Sequence, residues 1–294
     1  MELEFWADLS QAICDVQRKI PPNPRDLHRT ALIVRVHLWS VLHDRPTRWA
    51  CVADNWTTRT CPEKLPDQST MSRRLRRPDF DNFLKLLQKR LNGTPQQALL
   101  RIVDGKPLEL PNHTTDRDAA WGRGVSRTSV GYKLHMIYSV NPMPDAFVIT
   151  SLDSCEKQMA FRMIPRVTGT GYLLADAHYD ASWLFDGCRH HGHQLLCPRA
   201  KPGTGLGHHY QAEDRRRSID LLEPPGKINE FGPSLYRQRT RIERQFGQLV
   251  SFGAGLSALP SWVRRIWRVR RWVWAKLLIN AVRIRLNAKR EVHA

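Results

Sequence analysis

Apolar residues recur at helical spacing through the first third of the chain. Leu9 and Ile13 continue one apolar stripe, and Val36 and Trp39 continue a second one after a proline-rich break. The sequence before residue 95 shows no alternation typical of a strand. The predicted helices cover residues 3–13, 27–42, 69–78 and 80–91. We therefore expect residues 1–95 to form an all-α region.

After residue 95 the period changes, and short apolar runs replace the helical stripes. Residues 98–105 form such a run, which predicts a buried strand that carries Asp104 at its carboxyl end. Residues 171–176 repeat the pattern and end in Asp176. Further strands are predicted at 131–140, 146–152 and 193–197, with helices at 156–166, 236–250 and 262–286. We expect residues 96–294 to form an α/β domain with a short, loop-like insertion at about 198–233.

The predicted helix at 236–250 carries a polar row beside its apolar stripe. Tyr236, Arg239 and Glu243 stack along this row at i, i+3 and i+7. Glu243 is the single acid among fourteen Lys or Arg residues between positions 237 and 290. From the residues alone, Glu243 either forms a structural ion pair with a neighbouring arginine or meets other carboxylates in a site.

The overall charge indicates a polyanionic partner. The 294 residues carry 46 Lys and Arg against 28 Asp and Glu, a net charge of +18, while 41% hydrophobic residues and ten tryptophans indicate a folded protein. Double-stranded DNA is the leading candidate for this partner. The sequence has no apolar run as long as a membrane span and no signal segment at its start, so we expect a cytoplasmic protein without a membrane partner.

A short basic helix is predicted between Ser69, a candidate cap, and Pro78. It carries Arg73, Arg74, Arg76 and Arg77, which suit contacts to DNA phosphates. Together with the preceding helix it has the outline of a helix-turn-helix motif. A solvated basic helix would have the same pattern, so both interpretations stay open.

The six cysteines include no CxxC pair, so they are expected to be reduced. Soft metal ligands nevertheless cluster within ten positions, at Cys188, His190, His191, His193 and Cys197. Their spacing matches no common zinc pattern. Packing of the cysteines and capping by the histidines is the alternative to a zinc site.

The predicted order after residue 95 is three strands, a helix, a strand, a helix, a strand and a helix. This is the order of the ribonuclease H-like fold, a mixed sheet flanked by helices in which the first and fourth strands are neighbours. The chain resembles the DDE transposases of bacterial insertion sequences. The segments that carry this resemblance are Gln68–Leu75, Val103–Gly105, Gly131–His135, Ala175–Asp180 and the helix with Tyr236, Arg239 and Glu243 at the family spacing.

The resemblance implies a metal-dependent DNA endonuclease that cleaves transposon ends and transfers them into target DNA. It implies that Asp104, Asp176 and Glu243 are catalytic and hold two Mg²⁺ ions, which Mn²⁺ can replace, with Asp104 bridging both. It further implies that Tyr236 and Arg239 contact DNA near the cleaved phosphate. The expected partners are transposon terminal inverted repeats and target DNA, bound by a homodimer associated with the nucleoid.

One position departs from the family pattern. The family's usual lysine, seven residues after the glutamate, is replaced by Val250, and Arg244 or Arg241 could supply the missing DNA contact. The alternative to an active transposase is therefore a catalytically inactive, transposase-derived DNA-binding protein. A sequence-independent nuclease on the same fold is a further possibility. Strand cleavage in Mg²⁺ separates the first two.

Overall fold

The structure is a computed structural model. It describes residues 2–93, 98–203, 210–223, 230–251, 255–256 and 258–293. For residues 2, 3, 241–246, 248, 251, 292 and 293 it describes the backbone alone. Within the described ranges, every helix is too short or too polar to span a lipid bilayer.

The amino-terminal region is helical, as predicted. Its α-helices are α1 (Glu2–Gln17), α2 (Thr30–Leu42), α3 (Thr47–Ala50), α4 (Gln68–Arg74) and α5 (Pro78–Asn92). The cap of α4 is Asp67 rather than the expected Ser69, because its carboxylate accepts a hydrogen bond from the backbone N–H of Thr70 at 2.6 Å. Helix α5 begins at Pro78, whose missing N–H is no loss in a first turn.

Three tryptophans hold the amino-terminal helices together. Trp39 lies between Trp6 and Trp56, with ring centroids 4.7 and 4.6 Å away, and all three are buried. The indole N–H of Trp39 donates to the carbonyl of Asn55 at 2.9 Å, and that of Trp56 donates to Ala50 at 2.8 Å. Both indole N–H groups therefore keep a hydrogen-bond acceptor although their rings are buried.

The second region is a mixed six-stranded sheet flanked by helices. Its strands are β1 (Leu100–Leu110), β2 (Ala120–Arg123), β3 (Thr128–Tyr138), β4 (Ala146–Ser151), β5 (Gly171–Leu174) and β6 (His193–Leu196). Its helices are α6 (Glu156–Met163), α7 (Ser182–His190), α8 (Glu213–Leu222), α9 (Phe231–Ser251) and α10 (Ile266–His293).

The strand order places β1 at the centre of the sheet. Strand β1 pairs antiparallel with β3 and parallel with β5, and β5 pairs parallel with β6. Strands β4 and β2 both pair with β3, and they follow one another along the edge of β3 that faces away from β1. The order β4, β3, β1, β5, β6 is compatible with a ribonuclease H-like DDE domain.

Several boundaries differ from the sequence predictions. Strand β1 does not end at Asp104 but continues to Leu110, because its second half pairs with β3. Strand β2 was not expected, and the stretch predicted as a loop at 198–233 contains helix α8. Helix α9 includes Pro233, which is tolerated because it lies in the first turn. The last helix begins at Ile266 rather than Trp262.

Helix α10 packs against the amino-terminal helices. It contacts α1, α2, α5 and β4, and one continuous hydrophobic core joins these elements to one face of the sheet. Ion pairs support the contact: Lys276 reaches Asp44 at 2.6 Å, Lys289 reaches Asp8 at 2.8 Å, and Arg290 reaches Glu4 at 2.6 Å. The two ends of the described chain are therefore built into the same helical body.

Candidate active site

Asp104 and Asp176 lie where two neighbouring strands separate. Strands β1 and β5 pair only over Leu100–Ile102 and Tyr172–Leu174. Beyond these residues β1 continues beside β3, whereas β5 ends and the chain turns away. Asp104 and Asp176 each come two residues after the last parallel pair, so the opening between the strands receives both. A crevice of this kind at strand ends is a common place for ligand sites in α/β proteins.

Asp104 is a partly buried carboxyl group among other carboxyl groups. Burial is the main cause that raises its pKa to about 6, and the carboxylates of Asp176 and Glu156 raise it further. Two contacts act in the opposite direction: the N–H of Gly105 donates to Oδ1 of Asp104 at 2.8 Å, and the guanidinium of Arg239 lies nearby. The site therefore concentrates carboxyl groups, and the described cations that interact with Asp104 include Arg239 and Lys106.

Asp176 is held in place by the turn that it begins. Its Oδ1 atom accepts a hydrogen bond at 2.9 Å from the N–H of His178, in a 3₁₀ turn over Ala177–Tyr179. The hydroxyl group of Tyr179 is buried below this turn. Burial, followed by the charges of Glu156, Asp104 and Asp176, raises the pKa of Tyr179 well above its ordinary value. The Tyr179 phenol is therefore neutral and buried near the three carboxyl groups.

Helix α9 is tied to the end of β5 through Tyr236. The phenol hydroxyl of Tyr236 donates to the carbonyl of Ala175 at 3.1 Å and accepts from Nη1 of Arg239 at 3.1 Å. The Arg239 guanidinium also lies 6.0 Å from the centre of the Tyr236 ring. Ala175 precedes Asp176 directly, so these bonds position α9 against the turn that carries this carboxylate.

Glu243 lies on α9, one turn beyond Arg239 on the same helical row. The side chains of Glu243 and Arg244 lie outside the described part of the structure. Val250 is half-buried near the end of the same helix. The structure therefore brings together Asp104, Asp176, Tyr236 and Arg239, and it gives Glu243 and Arg244 a backbone position only.

Glu156 and Lys133 are neighbours of the site that the sequence analysis missed. Their side chains form an ion pair of 2.7 Å, with Lys133 buried in β3 and Glu156 at the start of α6. A Cβ atom at Gly105 would lie 3.1 Å from the Glu156 carboxyl carbon, so a larger residue at this position would require the Glu156 carboxylate to shift by a few tenths of an ångström. The signal was available, since a lysine inside an apolar strand requires a carboxylate partner.

A family comparison identifies the chain. The family model of the transposase DDE domain matches residues 95–279, which is more than half of the 294 residues. The chain belongs to the transposase DDE domain family. No curated protein and no solved structure matches it. Membership supports transposase function in general and a family chemistry that uses divalent metal ions. The resemblance inferred from the sequence is confirmed at the level of the family.

The basic residues predicted to bind DNA in this transposase-family chain fall into two groups. The side chain of Arg74 is 8% exposed and pairs with Asp26 and Asp79, both at 3.2 Å. Arg77 pairs with the same two carboxylates at 2.6 and 3.0 Å. These two arginines join α4 and the start of α5 to the loop between α1 and α2, which gives them a structural role, and their contact with DNA stays a prediction. Arg73 and Arg76 are exposed, and their contact with DNA also stays a prediction.

The cysteine and histidine cluster of this transposase-family chain is divided between core and surface. Cys188 on α7 and Cys197 directly after β6 pack in the same hydrophobic core, and burial raises the pKa of the Cys188 thiol to about 12. His190 and His191 are exposed. Among the residues whose side chains are described, no group of three or more His, Cys, Asp or Glu is placed to hold a metal ion. This holds for the acidic site as well, whose third predicted ligand is Glu243.

Proposed function

We propose that this protein is an active transposase that cuts DNA at the ends of a mobile element and joins those ends to target DNA. Asp104, Asp176 and Glu243 would hold two Mg²⁺ ions, or Mn²⁺ in their place, in a ribonuclease H-like domain. The observation that carries the proposal is the meeting of Asp104 and Asp176 at the opening between β1 and β5, under the helix that bears Glu243.

The donor set fits a hard divalent cation. Carboxylate oxygens are the ligands that Mg²⁺ prefers. Burial chiefly, and then the carboxylates of Asp176 and Glu156, raise the pKa of Asp104, and a cation bound between the carboxylates would relieve their repulsion. When bound, the ions supply an activated attacking oxygen and stabilise the departing one. The residues of the chain hold the carboxylates in place and position the DNA.

Tyr236 and Arg239 are proposed to position the cleaved phosphate. The hydroxyl group of Tyr236 fixes the Arg239 guanidinium at 3.1 Å, and this guanidinium already lies close enough to Asp104 to lower its pKa. An arginine held next to the carboxylates can neutralise a phosphate that enters the same opening. Arg244 follows Glu243 on α9 and is proposed to replace the family's lysine at the position of Val250.

The proposed partners are double-stranded DNA and a second copy of the chain. The net charge of +18 suits an enzyme that holds both transposon ends and target DNA. Cleavage at two ends requires two active sites, so we propose a homodimer on DNA. Such a protein would associate with the nucleoid.

A second candidate is a DNA-binding protein that has lost catalysis. Val250 favours it, because a half-buried valine cannot make the phosphate contact of the family's lysine. The two candidates predict the same DNA binding and differ in cleavage. An assay of DNA cleavage therefore distinguishes the two candidates.

The test is cleavage of labelled DNA that carries the sequences flanking the reading frame on both sides. The protein is incubated with this DNA in Mg²⁺, in Mn²⁺ and in EDTA. Active transposase gives specific nicks in either metal and none in EDTA, and the Asp176→Asn variant gives none in any condition. Binding without cleavage in both metals would favour the second candidate. Cleavage retained by Asp176→Asn would remove the assignment of the site, and cutting without preference for the flanking sequences would indicate a general nuclease.

A further inference from the structure

A groove rich in arginine lies between α4 and the start of α10, away from the carboxylates. It consists of two adjoining hollows of about 570 and about 490 Å³ that share Leu75, Trp267, Arg268 and Arg271. The first is lined by five arginines, and Asp81 is the one acid among its described lining residues. The second is lined by four arginines and, within the described part of the chain, by no acid. We refer to both hollows together as the Trp267 groove.

Trp267 organises the cations of this groove. The guanidinium carbons of Arg271, Arg268 and Arg76 lie 4.3, 4.8 and 5.1 Å from its ring centroid. Arg271 is buried, donates from Nε to the carbonyl of Trp267 at 3.2 Å and donates from Nη1 to the carbonyl of Leu75. These contacts fix the loop after α4 to the first turns of α10, so Arg76 and Arg268 face one groove although 192 positions separate them (268 − 76).

The basic residues of α10 differ between its two halves. In the second half, Lys289 and Arg290 pair with Asp8 and Glu4. In the first turns, Arg268 and Arg270 are exposed, and neither forms an ion pair with a carboxylate of the described chain. The first N–H group of the helix, at Ile266, is already bonded to Asp118 at 3.0 Å. Arg268 and Arg270 therefore carry positive charge that no carboxylate of the described chain neutralises by an ion pair, whereas Arg265, which also lines the groove, pairs with Asp118 at 3.3 Å.

We propose that the Trp267 groove is a binding site for the phosphate backbone of double-stranded DNA, formed jointly by the loop after α4 and by α10. Arginines that outnumber the neighbouring carboxylates in this way repel one another, and phosphates relieve this repulsion. The faces of Trp267 carry guanidinium groups, which leaves them less available for stacking on a base. The groove thus contacts DNA without reading its sequence. This proposal rests on the proposed function, because it gives the transposase a second DNA contact outside the carboxylate site.

The test is DNA binding by the full chain in EDTA, measured by fluorescence anisotropy at several salt concentrations. The groove variant is Arg268→Gln/Arg270→Gln. Both residues are exposed, so the fold should persist. The matched control is Lys289→Gln/Arg290→Gln, which removes the same charge from the paired half of the same helix. We expect the groove variant to bind about tenfold more weakly, with a slope of log affinity against log salt reduced by about two, on duplexes of any sequence. The control should keep the wild-type slope.

A variant that is expected to bind DNA more tightly provides a second test of the Trp267 groove. Asp81→Asn removes the acid from the groove and should tighten DNA binding severalfold. Equal slopes for wild type, groove variant and control would overturn the groove, while specific cleavage by the same preparations would leave the proposed function standing. Binding by wild type to an acidic peptide but not to duplex DNA would overturn the choice of partner. Loss of affinity on only one DNA sequence would overturn the assignment to the phosphate backbone.

Discussion

The carboxylate opening and the Trp267 groove are opposite in charge and alike in construction. In the opening, burial and then the carboxylates of Asp176 and Glu156 raise the pKa of Asp104 to about 6. In the groove, burial chiefly lowers the pKa of Arg271 to about 10; the carboxylate of Asp81 acts against this shift, and Arg268 and Arg76 add to it. Each place assembles like charges at a cost in free energy that a bound counter-ion recovers. The two places differ in the groups that dominate them: carboxylates suited to metal ions in the opening, with Arg239 beside them, and guanidinium groups suited to phosphates in the groove.

The largest effects on cleavage and on DNA binding should come from variants that change either the acids of the carboxylate opening or the arginines of the Trp267 groove. Asp104→Asn should abolish cleavage of transposon-end DNA and leave binding in EDTA within about twofold of wild type, because lysines and arginines supply most of the affinity. Arg268→Gln/Arg270→Gln should weaken binding but restore cleavage when the DNA concentration is raised. Gel assays of cleavage and binding on the same preparations measure both. If Asp104→Asn also lost DNA binding, the carboxylate opening and the Trp267 groove would not have separate functions in cleavage and binding.

Removal of Arg74 should destabilise the amino-terminal helices strongly. Arg74→Ala removes one of the two arginines that pair with Asp26 and Asp79 and leaves Arg77 to pair with both, so the free energy of unfolding should fall by about 1–3 kcal/mol through the lost charged hydrogen bonds. Arg73→Ala, on the exposed face of the same helix, should change it by less than about 0.5 kcal/mol. Urea denaturation of the two variants measures the difference. Equal stabilities would show that the ion pairs of Arg74 do not stabilise the amino-terminal helices.

Glu156 should support the carboxylate opening without being essential. Glu156→Gln keeps a hydrogen-bonding side chain next to Lys133 but removes a negative charge beside Asp104, so we expect cleavage to fall roughly 10- to 100-fold. Glu213→Gln, which removes an exposed acid from α8, should leave the rate unchanged. Single-turnover cleavage rates compare them. A loss as complete as that of Asp104→Asn would make Glu156 a metal ligand.

The smallest effect concerns His37, which lines the Trp267 groove. Burial lowers the pKa of His37 from 6.5 to about 3, and the Arg271 guanidinium adds to this shift. Above pH 6.5 the imidazole is neutral in both states. As the pH falls from 6.5 towards 3, the unfolded chain binds a proton that the folded chain refuses, so folding loses stability, on the order of 2 kcal/mol by pH 5.

A His37→Leu variant should lack this loss of folding stability at low pH. The drop in urea midpoint between pH 7.5 and pH 5 should therefore be smaller for the variant than for wild type. The difference between the two proteins is the relevant quantity, because other groups titrate equally in both. An identical drop would show that His37 is protonated in the folded protein.

The sequence was most informative where the pattern is local. The apolar runs before Asp104 and Asp176 predicted both strands, and their place in the strand order predicted that the two carboxylates converge. The end of β1 was predicted wrongly, because Lys106 and Pro107 interrupt the apolar run although pairing with β3 continues. A hydrogen-bonded partner strand decides where such a strand ends, and periodicity does not contain that information.

The partners of charged residues were the least predictable part. Arg73, Arg74, Arg76 and Arg77 look equivalent along the chain, yet Asp26 and Asp79 neutralise two of them through tertiary contacts. The ion pair between Lys133 in β3 and Glu156 at the start of α6 was likewise not predictable from the sequence pattern. Long-range ion pairs of this kind depend on the assembled fold and have no sequence period.

The packing of α10 on the amino-terminal helices bears on how the protein is made. During synthesis α1 to α5 emerge long before α10, and they lack part of their core until Trp272, Val273 and Leu277 arrive. Contacts between such distant segments close slowly. The nascent chain therefore cannot complete its helical body until α10 has left the ribosome. A messenger truncated before α10 would yield exposed apolar helices suited to degradation rather than a free DNA-binding fragment.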